Sequence, residues 1–158
     1  MSKTEKETIL ILHNIRSTHN VGSLMRSADG AGVSQIIFSG YTPTPLDKYG
    51  RKRSDVTKTA LGAENMAWQK IDSLDEYLNK LRAENFLISA IEQSPKSVHY
   101  KKSKKSKKQA LILGNEVTGI EPEVLKIVDQ VIEIPMLGDK ESLNVSIAGA
   151  IVMFEILT

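Results

Sequence analysis

A chain of 158 residues with a formal net charge of +2 is long enough for one domain with its own core, and its bulk charge identifies no partner. It has no cysteine, which excludes a disulfide scaffold, a thiol nucleophile and Cys-ligated zinc; His13, His19 and His99 lack metal-ligand spacing, so no metal is expected. The polar lead Met1–Glu7 is followed by no signal-type apolar region, and no run approaches the roughly 18 apolar residues that span a bilayer, so a cytoplasmic location is expected.

Thr8–Leu12 reads as a strand and Val21–Ala31 as a helix, entered through His19 and Asn20 and ending near Gly30 and Gly32. Gln35–Phe38 is a second short strand, and Gly40–Gly50, with Pro43 and Pro45, is loop. Ser54–Leu61 reads as a short helix and Met66–Ile71 as a strand. Asp72 or Ser73 caps a helix reaching Arg82, with Leu74, Tyr77, Leu78 and Leu81 on its apolar face. Phe86–Ile91 is a fully apolar strand; after a lysine-rich loop comes the strand Ala110–Leu113, ended by Gly114-Asn115-Glu116. Pro122 suits the first turn of a short helix, with Glu121 and Glu123 near its positive end. Val131–Ile134 is the last strand. The final helix runs from Leu143 to Leu157, with Leu143, Ile147, Ile151, Phe154 and Leu157 at helical spacing. Continuous apolar strands alternating with helices predict an α/β fold with a parallel sheet covered on both faces. Residues 1–158 are expected to form a single domain, without an internal repeat or linker.

Two basic groups stand out. Lys101, Lys102, Lys104, Lys105, Lys107 and Lys108 fall within eight residues, and Lys48, Arg51, Lys52, Arg53 and Lys58 form the other. Such groups attract phosphates, although a solvated loop reads the same way for the lysine run.

Three clusters combine glycine with polar side chains. In the first, Asn14–Arg26, Asn20 and Gly22 fall in the first helical turn, where free N–H groups can hold an anion, and Arg26 offers a planar fork of donors to a phosphate. A capping Asn and a solvent-facing Arg explain the same residues. In the second, Leu111–Ile120, Gly114 permits close backbone approach to a ligand and Glu116 can orient a basic group; a tight strand-to-helix turn is the alternative. In the third, Ile134–Ser146, a strand ends in Pro135 and a loop leads to Ser142 and Asn144 at the mouth of an apolar helix. Backbone donors beside an apolar floor of Met136 and Leu143 suit a flat heteroaromatic ligand such as adenine, and Ser142 also suits the helix cap. There is no Gly-x-Gly-x-x-Gly after the first strand, no phosphate-loop motif and no Gly-x-Ser-x-Gly, which disfavours dinucleotide, phosphate-loop and serine-hydrolase chemistry.

Taken in order, Asn14-x-Arg16-Ser17 with Asn20-Val21-Gly22 and Arg26, then Leu113-Gly114-Asn115-Glu116 with Gly119, then Ile134-Pro135-Met136 with Ser142-Leu143-Asn144-Val145-Ser146, resemble the SpoU (TrmH-like) family of RNA ribose 2′-O-methyltransferases, of the SPOUT superfamily. The likeness covers nearly the whole chain. It implies an S-adenosylmethionine-dependent enzyme whose C-terminal segment threads a loop into a deep trefoil knot, a topology that general folding rules would not suggest. It implies a homodimer with each active site completed near the partner subunit, and transfer or ribosomal RNA as partner rather than DNA or a membrane. Related proteins often carry an extra N-terminal RNA-binding domain; this chain starts almost directly at its first strand, so no separate one is expected. By the same resemblance Arg26, Asn20, Glu116, Ser142 and Asn144 are catalytic. Leu113, Gly114, Asn115, Ile134, Pro135, Met136, Ser142, Leu143 and Asn144 bind the cofactor, with Ala90 as an addition. Arg16 and Arg26 and, by their charge rather than by the resemblance, Lys52, Arg53, Lys101, Lys102, Lys104 and Lys105 are expected to contact RNA; the lysine run departs from the family's usual more mixed sequence. The alternatives are a non-catalytic knotted RNA-binding module and a knotted enzyme that methylates a base nitrogen.

Overall fold

Ile9–Leu12, Ile36–Phe38 and Ala110–Leu113 are buried at every position, so neither side of the pleat can face water. The computed structural model describes residues 5–158; Met1–Thr4, at the start of the polar lead, lie outside the described residues. Among the described residues seven strands form one sheet: β1 (Glu7–His13), β2 (Gln35–Ser39), β3 (Trp68–Lys70), β4 (Leu87–Ile91), β5 (Val98–His99), β6 (Lys108–Leu113) and β7 (Gln130–Glu133). Their spatial order is β3-β2-β1-β6-β4-β7-β5 and every pairing is parallel, with Leu10 of β1 between Ile36 and Leu111.

The helices are α1 (Thr18–Ala31), α2 (Ser54–Ala60), α3 (Leu74–Ala83), α4 (Pro122–Leu125) and α5 (Val145–Leu157). Alternate strand residues divide the core. Leu10, Leu12, Phe38, Leu111 and Leu113 meet Leu24 and Met25 of α1 and Val152, Met153 and Ile156 of α5. Ile9, Ile11, Ile88, Ala110 and Ile112 meet Leu74, Leu78 and Leu81 of α3. Each such buried aliphatic side chain contributes about 1.5–3 kcal/mol of transfer free energy, so the two layers hold the sheet from both sides.

Three differences from the sequence reading have physical causes. Helix α1 begins about one turn early, because Ser17 is its N-cap and its hydroxyl accepts the Asn20 N–H at 3.2 Å. Asn20 and Gly22 are therefore inside the helix. Gly22 serves packing: a Cβ there would lie 2.5 Å from the Val56 carbonyl oxygen and 1.8 Å from Thr59 Oγ1, so α1 and α2 approach only across a glycine. Strand β5 had no sequence signal; it is two exposed residues completing the free edge of β7. On α5 the buried residues are Gly149, Val152, Met153 and Ile156, while Ile147 and Phe154 of the expected stripe are 52% and 43% exposed. That helix is apolar around its circumference, so periodicity had no contrast from which to choose a face.

Candidate active site

In a parallel sheet all strands finish at one edge, and the loops after β1, β4, β6 and β7 gather there. The first contact among them is made by Glu116, just past β6. Its carboxylate accepts the Arg16 N–H at 2.9 and 3.0 Å, the Ser17 N–H at 3.2 Å and the Asn20 side-chain amide at 3.4 Å. The anion at the entrance to α1 is thus the protein's own. Burial pushes the Glu116 carboxyl up, but the donors from Arg16, Ser17 and Asn20 outweigh it and hold it below the ordinary glutamate value.

A pH dependence follows. The Glu116 contribution is complete above the unfolded glutamate pKa of about 4.3 and disappears as pH falls through the lower folded-state value. Glu116→Gln is expected to cost about 1 kcal/mol at neutral pH, a figure reduced for solvent screening at this half-buried position. Thermal unfolding of both proteins should show the gap closing on acidification; a gap of constant size would assign the loss to packing.

Asn20 extends the connection. It is 6% exposed, and its side-chain oxygen accepts the Asn144 amide at 3.2 Å. Asn144 Oδ1 in turn accepts the Ser146 N–H at 2.8 Å and so caps α5. The chain Glu116–Asn20–Asn144 therefore joins all three motifs in one hydrogen-bonded line. The expectation that Ser142 caps α5 is corrected: Asn144 takes that place, and Ser142 is left exposed at the rim.

The second connector is Asn115. Its amide donates to the Asn14 carbonyl at 3.0 Å and to the Tyr41 hydroxyl at 2.9 Å, while its oxygen accepts the Val117 and Thr118 N–H groups, both at 2.9 Å. Beside it, His13 Nε2 meets the Glu121 carboxylate at 3.0 Å and His13 Nδ1 meets Ser39 Oγ at 2.8 Å. These contacts tie the ends of β1, β2 and β6 together.

Under this frame lies a cavity of about 400 Å³. Of the expected cofactor residues, Leu113, Gly114, Asn115, Ile134, Ser142 and Leu143 line it, and Glu116 joins them. Pro135, Met136 and Asn144 do not reach it. Ala90 does not line it either: it is fully buried among the α3-side residues, and the next residues along, Ile91, Glu92 and Gln93, do. Sequence reading missed Glu92, whose carboxylate accepts the Ile120 N–H at 3.1 Å, and Gln93, whose amide donates to the Glu141 carbonyl at 2.7 Å. The rule that ligands sit beyond the carboxyl ends of parallel strands was the signal available for both.

Glycine is required at two wall positions. A Cβ on Gly114 would lie 2.6 Å from Ile120 Cγ1 and 2.8 Å from the Gly119 carbonyl. Gly119 has φ +69°, and a Cβ there would meet Glu92 Oε2 at 2.2 Å. Among the described residues the lining carries four carboxylates, Glu92, Glu116, Glu133 and Glu141, and no cationic side chain.

The expected RNA contacts fall in different places. Arg16 is exposed beside Glu116. Lys52 is exposed and Arg53 is half-buried, in the segment leading into α2, where Arg53 pairs with Asp55 at 3.2 Å. Arg26 is exposed on α1, and its guanidinium has no hydrogen-bond or ion-pair partner among the described residues; it lies about 9 Å along the helix from Asn20. The lysine run is divided. Lys101, Lys102 and Lys104 are exposed, but Lys105 Nζ donates to the Glu155 carbonyl at 2.9 Å, about 16 Å along α5 from Asn144. Lys105 thus lies toward the edge opposite the cavity. Among the described residues no group of three or more histidine or carboxylate side chains could hold a metal ion, and no helix is long and apolar enough to cross a membrane.

With this geometry in place, comparison with known proteins is specific. The SpoU rRNA Methylase family model matches residues 7–154. The tRNA (guanosine(18)-2′-O)-methyltransferase of Aquifex aeolicus is 29% identical over 156 residues, covering 98% of this chain and 71% of that protein. The 23S rRNA (guanosine-2′-O-)-methyltransferase RlmB of Escherichia coli K12 is 31% identical over 156 residues, covering 98% of this chain and 61% of that one. Among solved structures, the AdoMet-bound rRNA methyltransferase from Sinorhizobium meliloti superposes with a TM-score of 0.85 at 28% identity, across 99% of this chain and 57% of that chain. The chain thus spans about three fifths of the RlmB-type relatives it matches.

Proposed function

The chain belongs to the SpoU rRNA methylase family, and from that membership we propose that it transfers the methyl group of S-adenosylmethionine to a ribose 2′-hydroxyl in transfer or ribosomal RNA. The observation that carries the proposal is the cavity itself. Its size suits an adenosine-containing ligand, the aliphatic side chains in its mixed wall, among them Leu113, Ile134 and Leu143, suit a purine, and four carboxylates without a cation among the described lining residues suit a positively charged sulfonium. Relatives whose names specify guanosine 2′-O-methylation of tRNA and of 23S rRNA support the acceptor chemistry.

Leu113, Gly114, Ile134 and Leu143 would hold the cofactor, with the glycine allowing the backbone to come close. When bound, the cofactor supplies a methyl group already activated on sulfur. What remains for the protein is alignment and removal of a proton. Asn20, held between Glu116 and Asn144, fixes the groups at the mouth of the cavity. Arg16 and Arg26 would take RNA phosphates. A guanidinium is a poor base, so Arg26 suits electrostatic positioning of the hydroxyl and its phosphate, and the proton leaves through phosphate or water.

Dimerisation belongs to the same proposal. Arg26 makes no hydrogen bond or ion pair to Asn20, Glu116 or Asn144 within one protomer. Ile147 and Phe154 leave an apolar strip exposed on α5, next to α1, where a Cβ on Gly30 would lie 3.5 Å from Phe154 Cζ. A second copy covering that strip would bring its own residues to Arg26. The trefoil threading is also part of the proposal. It is supported by β6 lying between β1 and β4, and by the return of α5 against Leu24 and Leu113 at Gly149.

The test is incubation with methyl-labelled S-adenosylmethionine and total RNA, followed by nucleoside mass spectrometry. Label on ribose is expected. Label on a base nitrogen would select the base-methylating alternative, and RNA binding without label or cofactor binding would select the non-catalytic module.

A further inference from the structure

Of the four tyrosines, Tyr77 is buried and Tyr100 packs against the core. The other two, Tyr41 and Tyr49, are 60% and 69% exposed and lie in the one loop that joins β2 to α2. That loop is built to display them. At its tip the Asp47 carboxylate accepts the Tyr49 N–H at 2.8 Å, the Arg51 N–H at 2.9 Å and Arg51 Nε at 2.8 Å, and Leu46 bridges to Lys52. Gly50, at φ +75°, closes the turn. At its other end the Tyr41 N–H donates to Asn14 Oδ1 at 3.2 Å, and the Tyr41 hydroxyl accepts the Asn115 amide. The loop therefore hangs on the same strand ends that frame the candidate active site.

Charge reinforces the display. Between Gly40 and Arg53 the only carboxylate is Asp47, against Lys48, Arg51, Lys52 and Arg53. Lys48 Nζ lies 5.0 Å and the Arg51 guanidinium carbon 4.9 Å from the Tyr49 ring centroid. Both cations lie over the exposed ring, and an unpaired nucleotide, which offers a π face and a phosphate together, can replace a cation on the ring while its phosphate keeps that cation alongside. A duplex hides its base faces and would use only the charges.

We propose that Tyr49, with Tyr41 beside the strand ends, is a stacking platform for unpaired bases, with the surrounding Lys48, Arg51 and Lys52 taking the phosphates, so that this enzyme selects RNA in which the target nucleotide lies in a single-stranded or looped segment. The inference rests on the RNA-methylating reading for its ligand class. Binding of a fluorescein-labelled adenylate dodecamer and of a blunt duplex RNA of the same length, followed by anisotropy, tests it on the whole protein. Wild type should prefer the single strand. Tyr49→Ala should weaken single-strand binding about 5-fold or more while Tyr49→Phe retains it, since stacking onto an aromatic face is worth about 1–3 kcal/mol per base. Duplex binding should be unchanged in both variants. Unaltered single-strand affinity in Tyr49→Ala, an equal loss in Tyr49→Phe, preference of the wild type for duplex, or no binding of either RNA would each overturn the platform. Calorimetry with S-adenosylmethionine on the same samples separates the two readings. Heat of binding with a failed platform leaves methyl transfer standing, and a working platform without cofactor binding removes methyl transfer alone.

Discussion

Arg26→Ala should retain S-adenosylmethionine binding and lose methyl transfer by about 10²–10³-fold, the cost typical of removing one fixed group that stabilises developing charge. Cofactor binding should survive because Arg26 does not line the cavity. Folding should survive because its side chain is exposed and makes no hydrogen bond or ion pair among the described residues. The proposed dimer would give this free cation, on a helix next to an uncovered apolar strip, a role at the partner's site, and this can be tested directly. Mixing Arg26→Ala with a cofactor-binding variant such as Gly114→Ala should restore part of the activity if Arg26 serves its partner's site, because each mixed dimer then keeps one complete site. Absence of restoration would place the whole site within one protomer. Wild-type rates in Arg26→Ala alone would remove the residue from the mechanism.

Gly114→Ala should lower cofactor affinity about 10-fold or more while leaving the sheet intact. The added Cβ would sit 2.8 Å from the Gly119 carbonyl carbon and oxygen, and backbone gives way less easily than the tip of a side chain. Overpacking of this kind costs about 1–3 kcal/mol, which is taken up by movement of the Asn115–Ile120 turn. That turn is one wall of the cavity and also carries Asn115 and Glu116, so displacement affects the ligand and the strand-end network together. Gly138→Ala is the matched control, since its Cβ meets nothing within 4 Å. Calorimetry with S-adenosylmethionine should separate the two variants clearly; equal affinity would mean that the cavity beside Gly114 is not the cofactor site.

Much of this was present in the sequence. Leu10 and Ile11 are apolar neighbours on opposite faces of one strand, and such runs demand a covered parallel sheet. The glycines at 114 and 119, and the polar residues after each strand, marked the edge at which function collects. Other features were hidden for specific reasons. Glu92 looked like an ordinary strand-end residue until Ile120, remote in sequence, supplied the N–H that it accepts. The uniform apolarity of α5 concealed which face met the core. The six lysines read as one patch, yet the backbone carries Lys105 to the far end of α5.

Local chemistry by itself therefore determined the element types, the parallel sheet and the residue kinds available for methyl transfer, because side-chain periodicity and turn preference act over a few neighbours. Only tertiary structure decided that Glu116 would hold the Arg16–Asn20 segment, that Asn144 would reach Asn20, and that Arg26 would stand outside their cluster. Those outcomes depend on strand order and helix register across separations of about a hundred residues, and hydrogen bonds reach only a few ångströms.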